Sequence, residues 1–273
     1  MGKQHDTDRL FEGSVPEIYD KYLVPLIFEP YAEDLAHRVA ARQPARVLEI
    51  AAGTGVVTRH LSKSLPSTCT IVATDLNQPM LDQAAAVGTM RPVEWQQADA
   101  MQLPFPDASF DVVACQFGVM FFPDKARAYA ETRRVLRPGG VYIFNAWDRI
   151  EQNEFADIVT RALATLFPAD PPRFMARIPH GYHEPVVIRH DLACGGFDRL
   201  AEVTTVAARS RADSPHVPAV AYCQGTPLRG EIAARGASRV IEATDAAADA
   251  IAQRFGAGTL EGRIQAHIIA VER

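Results

Sequence analysis

Short apolar runs alternate with amphipathic segments through the middle of the chain. Five runs rich in β-branched and aromatic residues predict strands at 46–50, 69–75, 93–99, 109–117 and, after a turn, within 137–147. Segments with apolar positions near the 3.6-residue period predict helices at 55–65, 78–87 and 124–136. Several of these strands are continuously apolar, which is typical of a parallel sheet covered on both faces. The pattern therefore predicts an α/β fold with a doubly wound, mostly parallel sheet.

The pattern changes after Asp148. Residues 151–167 predict an amphipathic helix, and residues 167–185, which are rich in proline and aromatic side chains, resemble an inserted loop or lid. Further helices are predicted at 185–194, 226–236 and 238–254, further strands at 201–210 and 262–273, and helical structure at 9–42. We therefore expect a helical cap over the active site at 1–42 and a second domain at 43–273, with a lid insertion at about 151–185.

Composition narrows the classes of partner. The chain has 273 residues, 48% of them hydrophobic, and a net charge of -5, so a nucleic-acid partner is not expected. No uncharged apolar stretch reaches the roughly 18 residues of a membrane span. The opening MGKQHDTDRL lacks an apolar signal region, so we expect a cytoplasmic location.

The metal-binding residue types do not form a recognisable site. The four cysteines contain no C-x-x-C pair, and they are expected to be free thiols, largely buried. His180, His183 and His190 could suggest a metal, but no two of them have helical i, i+4 spacing. We expect no bound metal.

The most informative stretch is VLEIAAGTGVV at 47–57. A buried strand ends there in Glu49 and Ile50, and a turn nearly without side chains follows. Gly53 and Gly55 allow positive φ angles and close approach of a ligand to the main chain. The helix that follows offers unpaired N–H groups. A buried carboxylate such as Glu49 is costly unless a cation or a hydrogen-bond network meets it.

Acidic residues follow the next two predicted strands. Asp75 comes about 20 residues after the glycine turn, where a carboxylate can accept hydrogen bonds from ribose hydroxyls. Asp99 and Ala100 end the third strand, where a carboxylate can accept from an exocyclic amine such as that of adenine. Ligands of open α/β sheets bind beyond the carboxyl ends of the strands. Together these positions indicate a ligand that contains adenosine.

The motifs resemble those of a known family. The sequence E-x-A-x-G-T-G, then Asp75, Asp99, FDVV and RPGG, occurs in the order found in class I S-adenosylmethionine-dependent methyltransferases. The resemblance covers about residues 45–148 and is closest to small-molecule enzymes similar to the ubiquinone/menaquinone-biosynthesis C-methyltransferases. It implies a Rossmann-like, seven-stranded sheet with an antiparallel last strand. One departure is Ala51, where the family often has glycine, so the turn is expected to be slightly displaced.

The resemblance also implies roles for individual residues. The methionyl end of S-adenosylmethionine would lie against Glu49 and the main chain of 51–55, and the ribose would bind Asp75. The cofactor-binding residues implied in this way are Glu49, Ala51, Gly53, Thr54, Gly55, Asp75, Leu76, Met80, Asp99, Ala100, Gln116 and Phe117. Gln116, Tyr19 and Tyr22 are the candidate catalytic residues, the tyrosines as aromatic faces for the sulfonium. S-adenosylhomocysteine would be the product.

Each of these residues also has a purely structural interpretation. Glu49 could pair with an arginine, Asp75 could cap a helix, and Asp99 could be an acid in a turn. Gln116 could be an ordinary polar loop residue. Tyr19, Tyr22 and Trp147 could simply pack against the sheet.

The chemistry of methyl transfer leaves the acceptor open. The enzyme mainly has to align acceptor, methyl group and sulfur, so a covalent nucleophile is not required. The sequence has CQFG at 115–118 instead of the [N/D]PP[Y/F] motif of enzymes that methylate amino groups of adenine or glutamine. We expect a small-molecule acceptor methylated on O, C or N. Tyr19, Tyr22, His180 and His183 are unranked candidates for a base.

Two other functions remain open at this stage. A nicotinamide-dependent oxidoreductase would prefer G-x-G-x-x-G, but Thr58 occupies the third glycine position. A non-catalytic module that binds S-adenosylmethionine is the other alternative. The two carboxyl-terminal helices before the last strand could form the surface of a homodimer.

Overall fold

The computed structural model describes residues 15–273, and its centre is a seven-stranded sheet. The strands are β1 Arg46–Ile50, β2 Thr70–Asp75, β3 Glu94–Gln97, β4 Phe110–Gln116, β5 Leu136–Trp147, β6 Glu202–Ala212 and β7 Leu260–Glu272. Their order is β3-β2-β1-β4-β5-β7-β6. The sequence order reverses between β1 and β4, which is the position where open α/β sheets bind ligands. Part of the predicted helical region, residues 9–14, lies outside the described residues.

The first five strands run in the same direction, and the last strand runs against them. All pairings among β1 to β5 are parallel. Gly139 near the start of β5 bonds through its N–H to the carbonyl oxygen of Arg273, whereas Asp148, just after β5, bonds to that of Gln265. The partner number falls as the β5 number rises, so β7 is antiparallel to β5. This confirms the predicted fold class.

Helices lie between the strands along the chain. They are α1 Val15–Ile18, a π-helix Tyr19–Phe28, α2 Glu29–Ala40, α3 Val56–Ser64, α4 Gln78–Val87, α5 Lys125–Val135, α6 Glu154–Leu166, α7 Phe174–Arg177, α8 Pro185–Cys194, α9 His216–Gln224, α10 Leu228–Ala233 and α11 Arg239–Phe255, with 3-10 turns at Val119–Phe121 and Ile150–Gln152. Within residues 15–273, no helix combines the length and apolar character that crossing a membrane requires.

The structure differs from the sequence-based expectation at three elements. Helix α9 was not predicted, because six of its nine residues are buried and it therefore shows no amphipathic stripe. Strand β3 ends at Gln97, so Asp99 lies two residues beyond the strand and not at its end. Strand β5 already begins at Leu136, and the predicted turn RPGG forms part of the strand.

The described chain divides into two compact units. The first comprises residues 15–29, 147–181 and 207–265, and the second comprises 30–146, 182–206 and 266–273. Within the first unit, Glu231 of α10 accepts hydrogen bonds from the N–H groups of Arg173 and Phe174 and pairs with the guanidinium of Arg177. The carboxylate of Glu231 therefore links the proline-rich segment 167–185 to α10. The cap at 1–42 and the lid at 151–185 stay predictions.

Two turns of the second unit contact each other at the carboxyl ends of β1 and β4. Ala51 and Phe117, which follow these strands, have positive φ angles of 56° and 51°. Gly118 has an ordinary φ of -98°, but a Cβ atom there would lie 2.5 Å from the Cβ of Ala51 and 2.8 Å from the Sγ of Cys115. Gly118 is therefore required for space and not for backbone conformation.

This contact predicts a specific pattern of stability changes. Gly118→Ala should lower the free energy of unfolding by about 1–3 kcal/mol, the usual range for overpacking a core. The double variant Ala51→Gly/Gly118→Ala should recover part of that loss, because the clash with Ala51 is gone while the one with the Sγ of Cys115 remains. Urea unfolding of both variants measures the effect.

Gly258→Ala is the matched control, because a Cβ atom at Gly258 would meet nothing within 4 Å. Its stability should stay within about 0.5 kcal/mol of the parent protein. A double variant as unstable as Gly118→Ala would contradict the proposed contact.

Candidate cofactor site

The turn after β1 has the backbone conformation of a ligand-binding turn. Ala51, Gly53 and Gly55 have φ angles of 56°, 57° and 83°. Gly55 is the N-cap of α3, and no side chain caps this helix end. The positive φ of Ala51 is uncommon for a residue with a Cβ atom and costs roughly 1–2 kcal/mol. Alanine at this position therefore leaves a local strain in the turn.

The carboxylate of Asp75 joins this turn to the end of β2. One oxygen accepts a 2.9 Å hydrogen bond from the N–H of Gly53, and the other accepts a 2.8 Å bond from the N–H of Asn77. Asn77, and not Asp75, is the N-cap of α4, so the helix-cap interpretation of Asp75 does not hold. Burial raises the pKa of Asp75 above its usual value, and the bonds from Asn77 and Gly53 oppose this shift.

Glu49 is the second buried acid of the candidate site. The hydroxyl of Thr58, in the first turn of α3, donates a 2.6 Å hydrogen bond to Glu49 Oε2. Burial raises the pKa of Glu49 from 4.5 to about 8, although the Thr58 bond and the charge of Arg59 act in the opposite direction. Burial therefore favours the protonated form of Glu49, and a nearby cation would favour its carboxylate form.

The amino-terminal end of α3 is closely packed by protein groups. A Cβ atom at Gly55 would lie 3.1 Å from Ala84 and 3.1 Å from the indole of Trp95. Arg59 donates a 2.7 Å hydrogen bond to the carbonyl oxygen of Thr54 and fixes the turn from the helix side. Gly55 therefore serves the packing of α4 and β3 as well as the turn, so close approach of a ligand is not its only role.

The residues expected near the adenine lie after β2 and β3. Leu76 is 40% exposed, and its carbonyl oxygen accepts a hydrogen bond from the side chain of Gln97. Met80 and Ala100 are buried. Asp99 accepts a 2.8 Å bond from the N–H of Met101, so one of its carboxylate oxygens serves the local turn, as in the structural interpretation.

Gln116 and Phe117 lie at the end of β4. Gln116 is the last residue of the strand, is 8% exposed, and accepts a 3.2 Å hydrogen bond from the side-chain amide of Asn145 on β5. The ring of Phe117 meets the edge of Tyr31, with centroids 5.4 Å apart. Gln116 is therefore a strand residue in a defined amide pair, not a mobile polar residue of a loop.

The two candidate tyrosines belong to the first unit. Both lie in the π-helix, which contains Pro25, a residue without the N–H group that a regular helix uses. Tyr19 stacks on Phe28 at 5.1 Å, and the ammonium of Lys21 lies 5.0 Å from the centre of the Tyr22 ring. The ring of Tyr22 therefore contacts the ammonium of its neighbour Lys21, and a role of either tyrosine toward a sulfonium stays a prediction.

The same unit contains the aromatic residues after β5. Trp147 lies 6.0 Å from the ring of Phe28 and 6.0 Å from that of His180. The Nδ1 of His180 is 2.9 Å from the carbonyl oxygen of Asp148, which fixes the orientation of this buried ring. Among the residues from 15 onwards, no cluster of three or more potential metal ligands is present.

Three residues of the site were not found from the sequence. In the sequence, Thr58 stands out only because it occupies the position of a third glycine. A helical pattern gives no sign that its hydroxyl donates a hydrogen bond to a strand residue nine positions earlier. Trp95 lies on a short, exposed strand without clear periodicity. Asn145 could have been found, since it is the single polar residue of the apolar run VYIFNAW.

The site fits a cationic ligand with a ribose. Asp75 and Glu49 are buried acids beside a turn with positive φ angles and an uncapped helix start. A sulfonium or ammonium would stabilise the charged form of Glu49, and ribose hydroxyls could donate to the remaining lone pairs of Asp75. The residues present therefore match the demands of S-adenosylmethionine.

Comparison with known proteins also indicates a methyltransferase. A methyltransferase-domain family profile matches residues 48–144. The demethylmenaquinone methyltransferase of Deinococcus radiodurans is 42% identical over 111 residues, which are 40% of this chain and 44% of that protein. An N-methyltransferase structure from Haemonchus contortus, solved with phosphomonomethylethanolamine and S-adenosylhomocysteine, covers all of this chain and 61% of its own, with a TM-score of 0.60 and 15% identity. The structural likeness concerns the fold.

A longer match supports the relationship. The ubiquinone/menaquinone biosynthesis C-methyltransferase UbiE of Stutzerimonas stutzeri is 30% identical over 174 residues, which are 59% of this chain and 68% of that protein. The match to the Deinococcus protein, by contrast, spans less than half of that relative's length. The chain belongs to the class I S-adenosylmethionine-dependent methyltransferases.

Proposed function

We propose that this protein transfers the methyl group of S-adenosylmethionine to a small-molecule acceptor. The observation that carries the proposal is the Asp75 carboxylate, which is buried at the carboxyl end of β2 and bonded to the glycine turn. The acceptor atom, O, C or N, stays open. A cytoplasmic location, a homodimer and the absence of a nucleic-acid partner stay predictions.

Different residues of the second unit would bind different parts of S-adenosylmethionine. Asp75 would accept from the ribose hydroxyls, and Leu76 would lie against the adenine. Glu49 would take the charged form beside the methionyl ammonium, and the main chain at 51–55 would hold its carboxylate. Bound S-adenosylmethionine supplies an electrophilic methyl group on a good leaving group. The protein therefore has to orient the donor and exclude water, and alignment alone can contribute about 7–11 kcal/mol in favourable cases.

Binding of S-adenosylhomocysteine tests the donor site. Calorimetry should find micromolar affinity for the parent protein. Asp75→Asn should weaken binding about 10- to 100-fold, because hydrogen bonds to a charged acceptor are worth about 1.5–3 kcal/mol.

Asp82→Asn is the matched control, because Asp82 is an exposed acid on α4 that accepts a hydrogen bond from the side chain of Gln78. Its affinity should equal that of the parent protein. Undetectable binding to the parent protein, or equal affinity in Asp75→Asn, would refute the donor site. Tight binding of NADH instead would support the oxidoreductase alternative.

The raised pKa of Glu49 predicts a pH-dependent stability. Between pH 4.5 and about 8 the folded chain keeps a proton on Glu49 that the unfolded chain has released, so stability falls as pH rises through this window. Glu49→Gln removes this effect and should stabilise the ligand-free protein, by up to about 4 kcal/mol at pH 8 and much less at pH 5. Thermal unfolding from pH 5 to pH 8.5 measures the difference.

Glu49→Gln should also bind S-adenosylhomocysteine more weakly than the parent protein. Parent-protein affinity for S-adenosylhomocysteine should rise with pH up to about 8, whereas Glu49→Gln should bind weakly at every pH. Glu151→Gln, which removes an exposed acid, is the control for net charge. A stability gain that does not grow with pH would contradict the assignment of a protonated Glu49.

A further inference from the structure

The outer side of helix α8 carries a histidine and a cysteine one helical turn apart. His190 and Cys194 have i, i+4 spacing, and both are exposed. The Nε2 of His190 lies 3.6 Å from the Sγ of Cys194. Cys194 differs from the other cysteines of the chain, Cys69, Cys115 and Cys223, which are buried. At this pair, solvent therefore reaches a thiol and an imidazole together.

The separation of these two atoms fits a metal ion. A tetrahedral zinc ion binds histidine nitrogen at about 2.05 Å and thiolate sulfur at about 2.3 Å, so its two ligand atoms lie about 3.6 Å apart. In the metal-free chain a thiol–imidazole hydrogen bond spans the same distance, and zinc would replace the thiol proton with little movement of either side chain. The expectation of no bound metal considered histidines and cysteines separately, whereas this pair combines one of each.

The pair supplies half of the ligands that a structural zinc site needs. Such sites are almost always four-coordinate, and the described residues 15–273 contain no group of three potential metal ligands. One thiolate and one neutral imidazole would also leave the zinc ion with a net positive charge. A second thiolate–imidazole pair would supply both the missing ligands and the missing negative charge.

The surface around the pair suits the approach of an identical copy. Val186, Val187 and Ala193 lie on the same side of α8 as the pair, and Val186 is 69% exposed. No carboxylate, lysine or arginine lies on this side of the described helix. Arg189, at its margin, donates a 3.2 Å hydrogen bond to the carbonyl oxygen of Ala201. Two copies can therefore face each other across a twofold axis without repulsion between like charges.

We propose that His190 and Cys194 are half of a zinc site, which the same two residues of a second copy of the chain complete. The helix surfaces alone do not hold the copies together. A helix of ten residues is about 15 Å long and about 10 Å wide, so two such surfaces bury much less than the roughly 1,200 Å² of a stable interface. The contact through α8 therefore depends on the metal.

Zinc titration of the full chain, without a histidine tag, tests the proposal. The protein is first freed of metal with a chelator and kept reduced. Calorimetry should then find one zinc ion bound per two chains, and sedimentation should show a monomer that becomes a dimer when zinc is added. Each thiol loses its proton on coordination, so two protons should pass to the buffer for each zinc ion bound.

Three outcomes of this titration would overturn the proposal. The first is the absence of zinc binding, and the second is zinc bound at one ion per chain without dimer formation. The third is a dimer that survives the chelator but not the reductant, which would be a disulfide through Cys194 and not a zinc site.

Substitutions of the pair identify the ligands. Loss of an outer-shell partner already costs about 10- to 100-fold in metal affinity, so Cys194→Ser and His190→Ala should each weaken zinc binding at least about 100-fold and abolish the dimer. His190→Cys supplies another zinc ligand at the same position and should keep the zinc-dependent dimer. A Cys194→Ser protein that dimerises with zinc as the parent does would refute the assignment.

His216→Ala is the matched control, because His216 is an exposed histidine of α9 with Val220, which is not a metal ligand, four residues later. Its zinc stoichiometry and affinity should equal those of the parent protein. The affinity for S-adenosylhomocysteine should be unchanged in every variant, which verifies that the variants are folded. Failure of the zinc test with intact S-adenosylhomocysteine binding would refute the zinc site and leave the proposed function standing.

Discussion

The arrangement of the candidate site depends on one buried carboxylate. Asp75 links the turn after β1 to the turn after β2 through the N–H groups of Gly53 and Asn77. Both bonds are made by main-chain donors, so they fix the backbone of the two loops directly. A buried carboxylate without such partners would be costly. The same group that would receive a ribose therefore also fixes the shape of the turn on which the donor would lie.

Much of this fold follows from the sequence, because continuous apolar runs and 3.6-residue periods are local signals. The predicted strands and helices from 46 to 147 lie within a few residues of the observed ones. Helix α9 was not predicted, because burial on all sides removes the periodic pattern of apolar residues. The resemblance of the motifs to the methyltransferase family supplied what periodicity cannot, namely the antiparallel last strand.

The site was predicted in part, and the limit has a physical origin. Gly53 and Asp75 are marked by their positions at strand ends, and the structure brings them into direct contact. Thr58 and Asn145 act through bonds to residues on other elements, and such tertiary contacts leave no local pattern. For Asp99 the sequence position suggested a contact with the ligand. In the structure at least one of its carboxylate oxygens instead accepts a hydrogen bond within the local turn.

The crowding between Ala51 and Gly118 also limits how this protein can change through evolution. A Cβ atom at position 118 would meet both Ala51 and the Sγ of Cys115, so alanine there requires glycine at position 51 and a shift or replacement of the thiol at 115. A lineage that moved the methyl group from one loop to the other would have to pass through an ancestor with glycine at both positions. Relatives should accordingly show correlated residues at these two places, although 67 positions of chain separate them.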